Sequence, residues 1–242
     1  MSDQVLPKIN NKSVAGEIGK FLKEEFRKRK KTSAIVGVSG GVDSSLTAKL
    51  CERASLNVKR VFMPYGKTSK GPGEDFSKID ITKAVDILAG KAANKISKGN
   101  IMARVRMIIL YDLARKLNGL VVGTENLSEY YLGYFTLHGD QAADINPITG
   151  LWKTQVLGLV KYFNLPIREP SADLWKGQTD EKELGFSYEE ADPILYLYCV
   201  KKISPRKIIK DFDFSADLVY RVLERVKSTG YKREEVPVYE KL

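Results

Sequence analysis

A short run of small and polar residues near position 40 has the composition of an anion-binding loop. Residues 39–44 read Ser-Gly-Gly-Val-Asp-Ser and directly follow the apolar run of residues 34–38. Adjacent glycines let backbone N–H groups approach a ligand closely, and Ser44 or Ser45 is suited to cap the helix that follows. The N-terminus of such a helix favours a phosphate or pyrophosphate. For a bare pair of glycines, an ordinary tight strand-to-helix turn is the alternative.

Several other kinds of chemistry are excluded by what the sequence lacks. No Gly-Lys-Ser/Thr follows the glycines, so the loop is not a Walker A loop, and the third glycine of a dinucleotide fingerprint is missing. His138 is the one histidine, which leaves little material for histidine catalysis. Cys51 and Cys199 lie far apart without a partner motif, so neither a disulfide framework nor a zinc site is indicated.

Length and composition predict the kind of protein that must position this loop. The 242 residues suit one domain covering residues 1–242. No apolar run approaches the ~20 residues of a membrane span, and the polar N-terminus lacks a signal-peptide core, so we expect a cytoplasmic protein without membrane contact. The net charge of +10 is compatible with a lysine-rich surface, an anionic substrate or nucleic-acid binding. The basic cluster at residues 27–31 ends a predicted helix, where cations are favourable, so it requires no nucleic acid.

Apolar runs alternate with helical patterns along the first half of the chain. This alternation predicts an α/β fold, a Rossmann-like doubly wound parallel sheet of about five strands with flanking helices. The predicted strands include residues 34–38, 58–63, 76–81 and 120–123. Ligands bind beyond the carboxyl ends of such strands, which brings Thr124 to the same edge as the anion loop.

Residue patterns of period 3.6 predict the helices. Ser13 is the expected cap of the first helix, and residues 118–119 (Asn-Gly) are expected to end the helix of residues 101–117. Further helices are predicted at residues 44–54, 82–91, 154–163, 187–201 and 204–227. The segment between the second and third strands, residues 64–76, is short for a crossover and is expected to lack a helix.

Several motifs in order resemble one enzyme family. The Ser-Gly-Gly-Val-Asp-Ser loop resembles the pyrophosphate loop of the N-type ATP pyrophosphatases. The complete set of motifs is similar to that of the ammonia-dependent NAD synthetases, over nearly the whole chain after Ser33. These motifs lie at residues 98–107, 123–129, 132–136, 139–147, 170–175 and 177–181.

The resemblance implies a reaction and its participants. Enzymes of this family are ligases that form a carbon–nitrogen bond: deamido-NAD, ATP and ammonia give NAD, AMP and pyrophosphate, through an acyl-adenylate. The family also implies Mg²⁺ and a homodimer, with faces around residues 104–117 and 129–135 as candidate interfaces; a buried core is the alternative use of those residues. No glutaminase segment is recognisable, so free ammonia, or ammonia from a separate subunit, is the expected donor.

The resemblance also assigns ATP and metal positions. Asp43 and Glu129 match the magnesium ligands, and Lys153 matches a position that contacts ATP and acts in catalysis. A solvated helix acid and an exposed lysine are the alternatives for Glu129 and Lys153. The matched ATP positions are Gly37, Val38, Ser39, Gly40, Gly41, Val42, Asp43, Ser44, Thr124, Lys153 and Ser171.

Five positions match contacts to deamido-NAD: Arg104, Leu137, Asp144, Tyr231 and Lys232. Asp144 is also expected to be catalytic, because a carboxylate there is able to orient ammonia or accept its proton. An exposed helix arginine and a loop-capping aspartate are the alternatives for Arg104 and Asp144. Leu137 and Tyr231 stand where the family often has lysine and histidine.

Two rival functions remain, one within the same enzyme class and one from a different class. A GMP-synthetase-like ATP subunit shares the anion loop, but residues 124–129 and 140–147 argue against it. A nucleotide- or RNA-binding module without turnover would not need carboxylates at Asp43 and Glu129. Salt-sensitive RNA affinity without ATP cleavage would favour that module.

Overall fold

The computed structural model describes residues 5–66, 75–90, 93–167 and 179–239, in which four parallel strands form one sheet. The strands are β1 (Ser33–Gly37), β2 (Asn57–Phe62), β3 (Ser77–Lys78) and β4 (Gly119–Val121). Their order is β3-β2-β1-β4, with β1 paired in parallel to both β2 and β4. The α/β class and the parallel sheet are therefore confirmed.

The expected count of about five strands is wrong for the described residues. The place beyond β4 holds only a single parallel bridge between Val122 and Ile145. The side chain of Asp144 accepts a hydrogen bond from the backbone N–H of Val121 at 2.8 Å. Pro147 has no N–H to donate. For these two reasons the bridge does not extend into a fifth strand. The predicted third strand likewise shortens to β3.

Helices flank the sheet and continue beyond it. Their bounds are α1 (Asn11–Lys28), α2 (Val42–Arg53), α3 (Thr82–Ala89), α4 (Lys95–Lys116), α5 (Leu127–Leu132), α6 (Lys153–Tyr162), α7 (Asp180–Leu184), α8 (Tyr188–Leu195), α9 (Pro205–Phe212) and α10 (Ala216–Ser228). A π-helical turn (Tyr196–Val200) continues α8, and a 3-10 turn (Gly230–Arg233) follows α10. Among the residues that the structure describes, no helix is both long and apolar enough to cross a membrane.

Some helix boundaries differ from the predictions, and side-chain caps explain most of the differences. Asn10, not Ser13, caps α1, because its side chain accepts the backbone N–H of Ser13. Asn94 caps α4 in the same way, so that helix begins well before residue 101. The helix predicted at residues 204–227 is two helices, since Asp213 ends α9 with φ +59° and Ser215 caps α10.

The core has three parts, two of which cover the faces of the sheet. Ala34 and Val36 of β1 point to the side of α1, α2 and α6, whereas Ile35 points to the side of α3 and α4. This alternation is the period of a strand buried on both faces. A third cluster, centred on α5, α8 and α10, lies beside the carboxyl end of the sheet. It supports the elements that close the site described below.

Candidate active site

The carboxyl ends of the strands open into a cavity of about 1640 Å³. Its wall comprises the loop after β1, the segment after β2, the middle of α4, Thr124 after β4, and the chain at Tyr231 and Lys232. Pockets for single small ligands usually measure about 300–1,000 Å³. The cavity therefore has room for more than one ligand of nucleotide size.

The loop between β1 and α2 has the form that its glycines predict. Gly40 has φ +89°, which glycine adopts without strain. Ser44 accepts the backbone N–H of Ser39 and donates to the carbonyl of Gly41 (3.3 and 3.1 Å), and the hydroxyl of Ser39 accepts the N–H of Gly41 (3.1 Å). Gly41 itself occupies the N-cap without a side-chain cap, so capping by Ser44 or Ser45 is wrong. The first residues of α2 line the cavity, and the N–H groups at the start of a helix have no partner within it, as an anion site requires.

Next to this loop, one lysine holds two carboxylates together. Lys153 is 1 % exposed, and its Nζ lies 2.5 Å from Asp43 Oδ2 and 3.1 Å from Glu129 Oε1. These residues come from the starts of α2, α5 and α6, three segments that are distant in the sequence. Neither the exposed lysine nor the solvated acid that the sequence left open is found.

Asn126 links this cluster to the start of α5. Its side chain accepts the N–H of Glu129 (3.0 Å), while Glu129 Oε2 accepts the N–H of Asn126 (3.3 Å), which completes a capping box. The Asn126 amide also donates to Asp43 Oδ1 at 3.0 Å. One residue therefore fixes the position of both carboxylates that the resemblance assigns to magnesium.

The charges of the cluster are strongly perturbed. Burial, together with the nearby Asp43 and Asp180, raises the pKa of Glu129 to about 8, although Lys153 opposes the shift. Burial alone would lower the pKa of Lys153, but Asp43 and Glu129 outweigh it and raise that pKa. Lys153 is therefore a permanent buried cation.

A buried carboxylate of α8 connects the first turns of α5 and α6. Asp192 of α8 accepts the Ser128 hydroxyl at 2.5 Å and both the N–H and the hydroxyl of Thr154 at 3.0 and 2.8 Å. Ser128 in turn accepts the backbone N–H of Lys153 at 2.8 Å. Burial raises the pKa of Asp192 to about 6. This network orients the first turn of α6, and with it the side chain of Lys153.

Asp180 at the start of α7 adds a third carboxyl group to this part of the cavity. It is 2 % exposed, and its Oδ2 accepts the hydroxyl of Tyr188 at 3.0 Å. Its Oδ1 is buried and has no hydrogen-bond partner among the described residues. Burial raises the pKa of Asp180, while Lys153 and Tyr188 act in the opposite direction. We refer to Asp43, Glu129, Lys153 and Asp180 as the floor of the cavity.

The outer part of the cavity is basic. Arg104 of α4 is exposed and donates to the carbonyl of Leu137 at 3.2 Å. Lys232 is half-buried, and its Nζ donates to the carbonyls of Gly133 and Phe135 at 2.8 and 2.6 Å. Arg225 also lines the cavity. We refer to Arg104, Arg225 and Lys232 as the rim.

Two further carboxyl groups lie next to the rim. Asp140 lines the cavity and accepts the N–H of Thr136 at 2.9 Å. Burial, together with Asp140, raises the pKa of Glu125 to about 8, and Lys232 opposes that shift. Oε1 of Glu125 is buried without a hydrogen-bond partner among the described residues. Burial and Arg225 lower the pKa of Lys232.

Most of the predicted site residues meet in this cavity. Gly37, Val38, Ser39, Gly41, Val42, Asp43, Ser44, Thr124, Glu129, Lys153, Arg104, Leu137, Tyr231 and Lys232 all line it. Asp144 is not among the lining residues; its Oδ2 is bound to the N–H of Val121, which is the loop-capping arrangement that the sequence left open. Ser171 lies outside the described residues.

Asp43 and Glu129 fit a magnesium ion that is accompanied by phosphates. They converge on one point beside the anion loop, and each carboxylate keeps lone pairs beyond those used by Lys153 and Asn126. Mg²⁺ commonly uses one or two carboxylates and takes its other ligands from phosphates and water. Within the described residues, no three side chains of Asp, Glu, His or Cys group closely enough to hold a metal without such help.

Sequence reasoning missed several residues of the site. Asn126 was detectable, because Asn followed three residues later by Glu is a capping-box spacing. Asp180 lies in a recognised motif, but nothing in the sequence predicts that one of its oxygens is buried without a partner. Asp192 and Ser128 act through contacts between distant helices, for which the sequence contains no signal.

Comparison with known proteins gives a consistent result. The model of the NAD synthase family matches residues 14–236. The NH(3)-dependent NAD(+) synthetase of Fusobacterium nucleatum is 39 % identical over 93 % of this chain and 94 % of its own length. The enzyme of the same name from Methanocaldococcus jannaschii is 40 % identical over 94 % of this chain and 96 % of its own.

Solved structures are similar in fold over nearly the whole chain. The NMN synthetase of Francisella tularensis has a TM-score of 0.83 and 28 % identity, covering 97 % of this chain and 100 % of that one. The NH3-dependent NAD synthetase of Campylobacter jejuni has a TM-score of 0.79 and 28 % identity, covering 96 % and 100 %.

Proposed function

Because this chain belongs to the NAD synthase family, we infer that it catalyses the ATP-dependent amidation of deamido-NAD by ammonia. The products are NAD, AMP and pyrophosphate, so the protein is a ligase that forms a carbon–nitrogen bond. The observation that carries the assignment to this site is the convergence of Asp43, Glu129 and Lys153 beside the anion loop, inside a cavity of about 1640 Å³.

The anion loop and the floor serve the first half of the reaction. A carboxylate must approach a polyphosphate, so negative charge has to be neutralised before the acyl-adenylate forms. The anion loop of residues 37–44 holds the β- and γ-phosphates, which leave as pyrophosphate, through the N–H groups at the start of α2. Lys153 adds a fixed positive charge next to them, and its two carboxylate partners hold it in place.

Asp43 and Glu129 hold the magnesium ion of Mg-ATP. When bound, Mg²⁺ supplies positive charge to the phosphate oxygens and makes pyrophosphate a better leaving group. Thr124, at the carboxyl end of β4, contacts ATP at the same edge of the sheet. Phe62 and Met63, at the end of β2, provide an apolar wall for the adenine.

The rim binds deamido-NAD. Arg104 and Lys232 line the cavity on its basic side and suit the two phosphates of a dinucleotide. Tyr231 is 62 % exposed next to Lys232, so its ring is available to stack on a base. Leu137 presents its carbonyl to Arg104, and its side chain supplies no charge.

The decisive experiment is incubation of the protein with Mg-ATP, ammonium and deamido-NAD. We expect AMP and NAD in equal amounts, with a requirement for Mg²⁺ that EDTA abolishes. Formation of AMP without NAD would contradict deamido-NAD as the substrate, although the protein would still be shown to cleave ATP. No AMP at all, combined with salt-sensitive RNA binding, would support a binding module instead.

The similar structure from Francisella is that of an NMN synthetase. A second experiment therefore compares deamido-NAD with nicotinic acid mononucleotide as the substrate that is amidated. Nicotinic acid mononucleotide lacks the AMP half of deamido-NAD and would leave much of the cavity unfilled. We expect a higher kcat/KM for deamido-NAD. A reversed preference would assign the chain to mononucleotide amidation.

A homodimer through α4 completes the proposal. Ile108 on that helix and Leu117 at its C-cap are 59 % and 41 % exposed, so both are available to a partner chain. Leu132 and Phe135 of the other predicted face are buried within the chain, so that face serves the core. Ile108→Glu is expected to shift the mass measured by light scattering from two chains to one.

The cytoplasmic location stays a prediction.

A further inference from the structure

One oxygen of the cavity floor has no role in the contacts described so far. Oδ1 of Asp180 is buried and lacks a hydrogen-bond partner among the described residues, although the residue lines the cavity. An unsatisfied buried acceptor destabilises the folded protein, and more so when it is charged. A ligand that donates a hydrogen bond from within the cavity would remove this destabilisation.

The surrounding charges indicate that this ligand is a cation. The floor contains the carboxyl groups of Asp43, Glu129 and Asp180 but a single lysine, whose Nζ is bound to the first two. The hydroxyl of Tyr188 satisfies only the other oxygen of Asp180. Among the described residues, the floor therefore has more carboxyl groups than cations, and no cation forms a salt bridge with Asp180.

The proposed reaction uses two cations, Mg²⁺ and ammonium. The structure favours ammonium at Oδ1 of Asp180. Within the described residues, no three potential metal ligands lie close enough to hold one metal ion. Asp180 therefore does not join Asp43 and Glu129 as a third magnesium ligand. Ammonium carries only donors and suits a single carboxylate oxygen. Tyr134, whose hydroxyl donates to Glu183 at 2.5 Å, lines the same cavity beside Asp180 and lowers the pKa of that carboxyl group.

We propose that Oδ1 of Asp180 binds the incoming ammonium ion and takes its proton, an inference that rests on the proposed function. The N–H bond of ammonium breaks, its proton moves to Oδ1, and the lone pair that is released on nitrogen attacks the carbonyl carbon of the acyl-adenylate. The bond between that carbon and the AMP oxygen then breaks, AMP leaves with the electron pair, and the new amide loses one further proton to water. This role replaces the one expected of Asp144, whose Oδ2 is bound to the backbone of β4.

Asp180→Asn tests the proposal, because the amide oxygen still accepts the Tyr188 hydroxyl. We expect the rate with ammonium to fall about 100-fold and the KM for ammonium to rise about tenfold. Release of pyrophosphate from ATP and deamido-NAD, measured in a single turnover without ammonium, should remain within about threefold of wild type. Glu181→Gln, at the exposed neighbouring carboxylate of α7, is the matched control and should leave every rate unchanged.

Hydroxylamine separates proton removal from a structural role, because it is mainly unprotonated at neutral pH. Turnover of Asp180→Asn with hydroxylamine should approach that of wild type, whereas a distorted site would lose both nucleophiles equally. If Asp180→Asn does not fold, Tyr188→Phe keeps the carboxylate but frees its orientation. We expect that variant to raise the KM for ammonium about threefold and to leave pyrophosphate release intact.

The outcomes separate this inference from the proposed function. Wild-type protein that forms no AMP would contradict the proposed function itself. Active wild type with an unchanged Asp180→Asn variant would overturn only the role of Asp180. Loss of pyrophosphate release in the variant, or equal loss with ammonium and hydroxylamine, would also overturn it, because Asp180 would then serve the ATP half or the fold.

Discussion

The floor and the rim of the cavity use lysine in opposite ways. Lys153 on the floor is fully buried and bound to two carboxylates, which raise its pKa. Lys232 on the rim is half-buried and bound to two backbone carbonyls, while burial and Arg225 lower its pKa. The first lysine is bound to two carboxylates, whereas the second has charges of both signs nearby, with Arg225 lowering its pKa and Asp140 and Glu125 opposing that shift.

This difference indicates how one cavity handles two kinds of charge. Among the described residues, the floor has more carboxyl groups than cations and therefore suits cations, which we propose to be Mg²⁺ and ammonium. The basic groups of the rim have no salt-bridge partner among the described residues, which supports the proposal that they bind the phosphates of a dinucleotide. Each of the following substitutions is designed to weaken or sharpen that contrast.

Removing the floor cation is expected to have the largest effect. Lys153→Met leaves Asp43 and Glu129 close together without their partner, which should cost about 3–5 kcal/mol of unfolding free energy. Activity should be undetectable. Urea denaturation measures the stability, and Lys161→Met, at an exposed lysine of the same helix, is the control. If Lys153→Met loses no more unfolding free energy than Lys161→Met does, the cluster is not a buried ion-pair network.

Glu125, next to the rim, should make the protein less stable as the pH rises. Its pKa is about 8 in the folded state, against 4.5 for the unconstrained side chain, so the folded protein resists its ionisation. The stabilising effect of the protonated form is complete below pH 4.5 and is lost as the pH rises toward 8. Glu125→Gln should therefore gain about 5 kcal/mol over wild type between pH 4.5 and 8.

Thermal and urea unfolding at pH 5 and pH 8.5 measure this difference. Glu24→Gln, at an exposed glutamate of α1, should show no such gain. A Glu125→Gln variant that is equally destabilised at both pH values would indicate that the carboxylate is ionised and paired in the folded protein.

Neutralising one exposed rim cation should affect binding and not stability. Arg104→Gln is expected to raise the KM for deamido-NAD about tenfold and to leave the KM for ATP unchanged. Arg115→Gln, an exposed position near the end of the same helix, is the matched control. Equal effects on both substrates would remove the assignment of the rim to the dinucleotide.

Adding a cation to the rim should have the smallest effect. Leu137→Lys restores the charge that the family often has at this position, next to the carbonyl that accepts from Arg104. We expect the KM for deamido-NAD to fall about threefold at low salt and the gain to vanish at high salt. Steady-state kinetics at two salt concentrations decide the point, and a gain that persists at high salt would argue against an electrostatic origin.

The sequence contained much of the fold and part of the site. Period-two and period-3.6 patterns locate β1 and most helices, and the anion loop lies where its residues predict. Residue patterns did not show that Asp144 caps a strand edge, because that depends on which N–H groups the sheet leaves unpaired. Nor did they show the unpartnered oxygen of Asp180, which arises only when α7 packs beside α8.

Asn126 has a consequence for the order in which the molecule assembles. It caps a helix and binds Asp43 across 83 positions of sequence, and Lys153 reaches the same carboxylate across 110. Loop closure over such distances comes late in folding. A growing chain on the ribosome therefore cannot complete the floor before Lys153 has been synthesised. Once the floor is closed, nucleotide binding pulls the equilibrium toward the finished molecule.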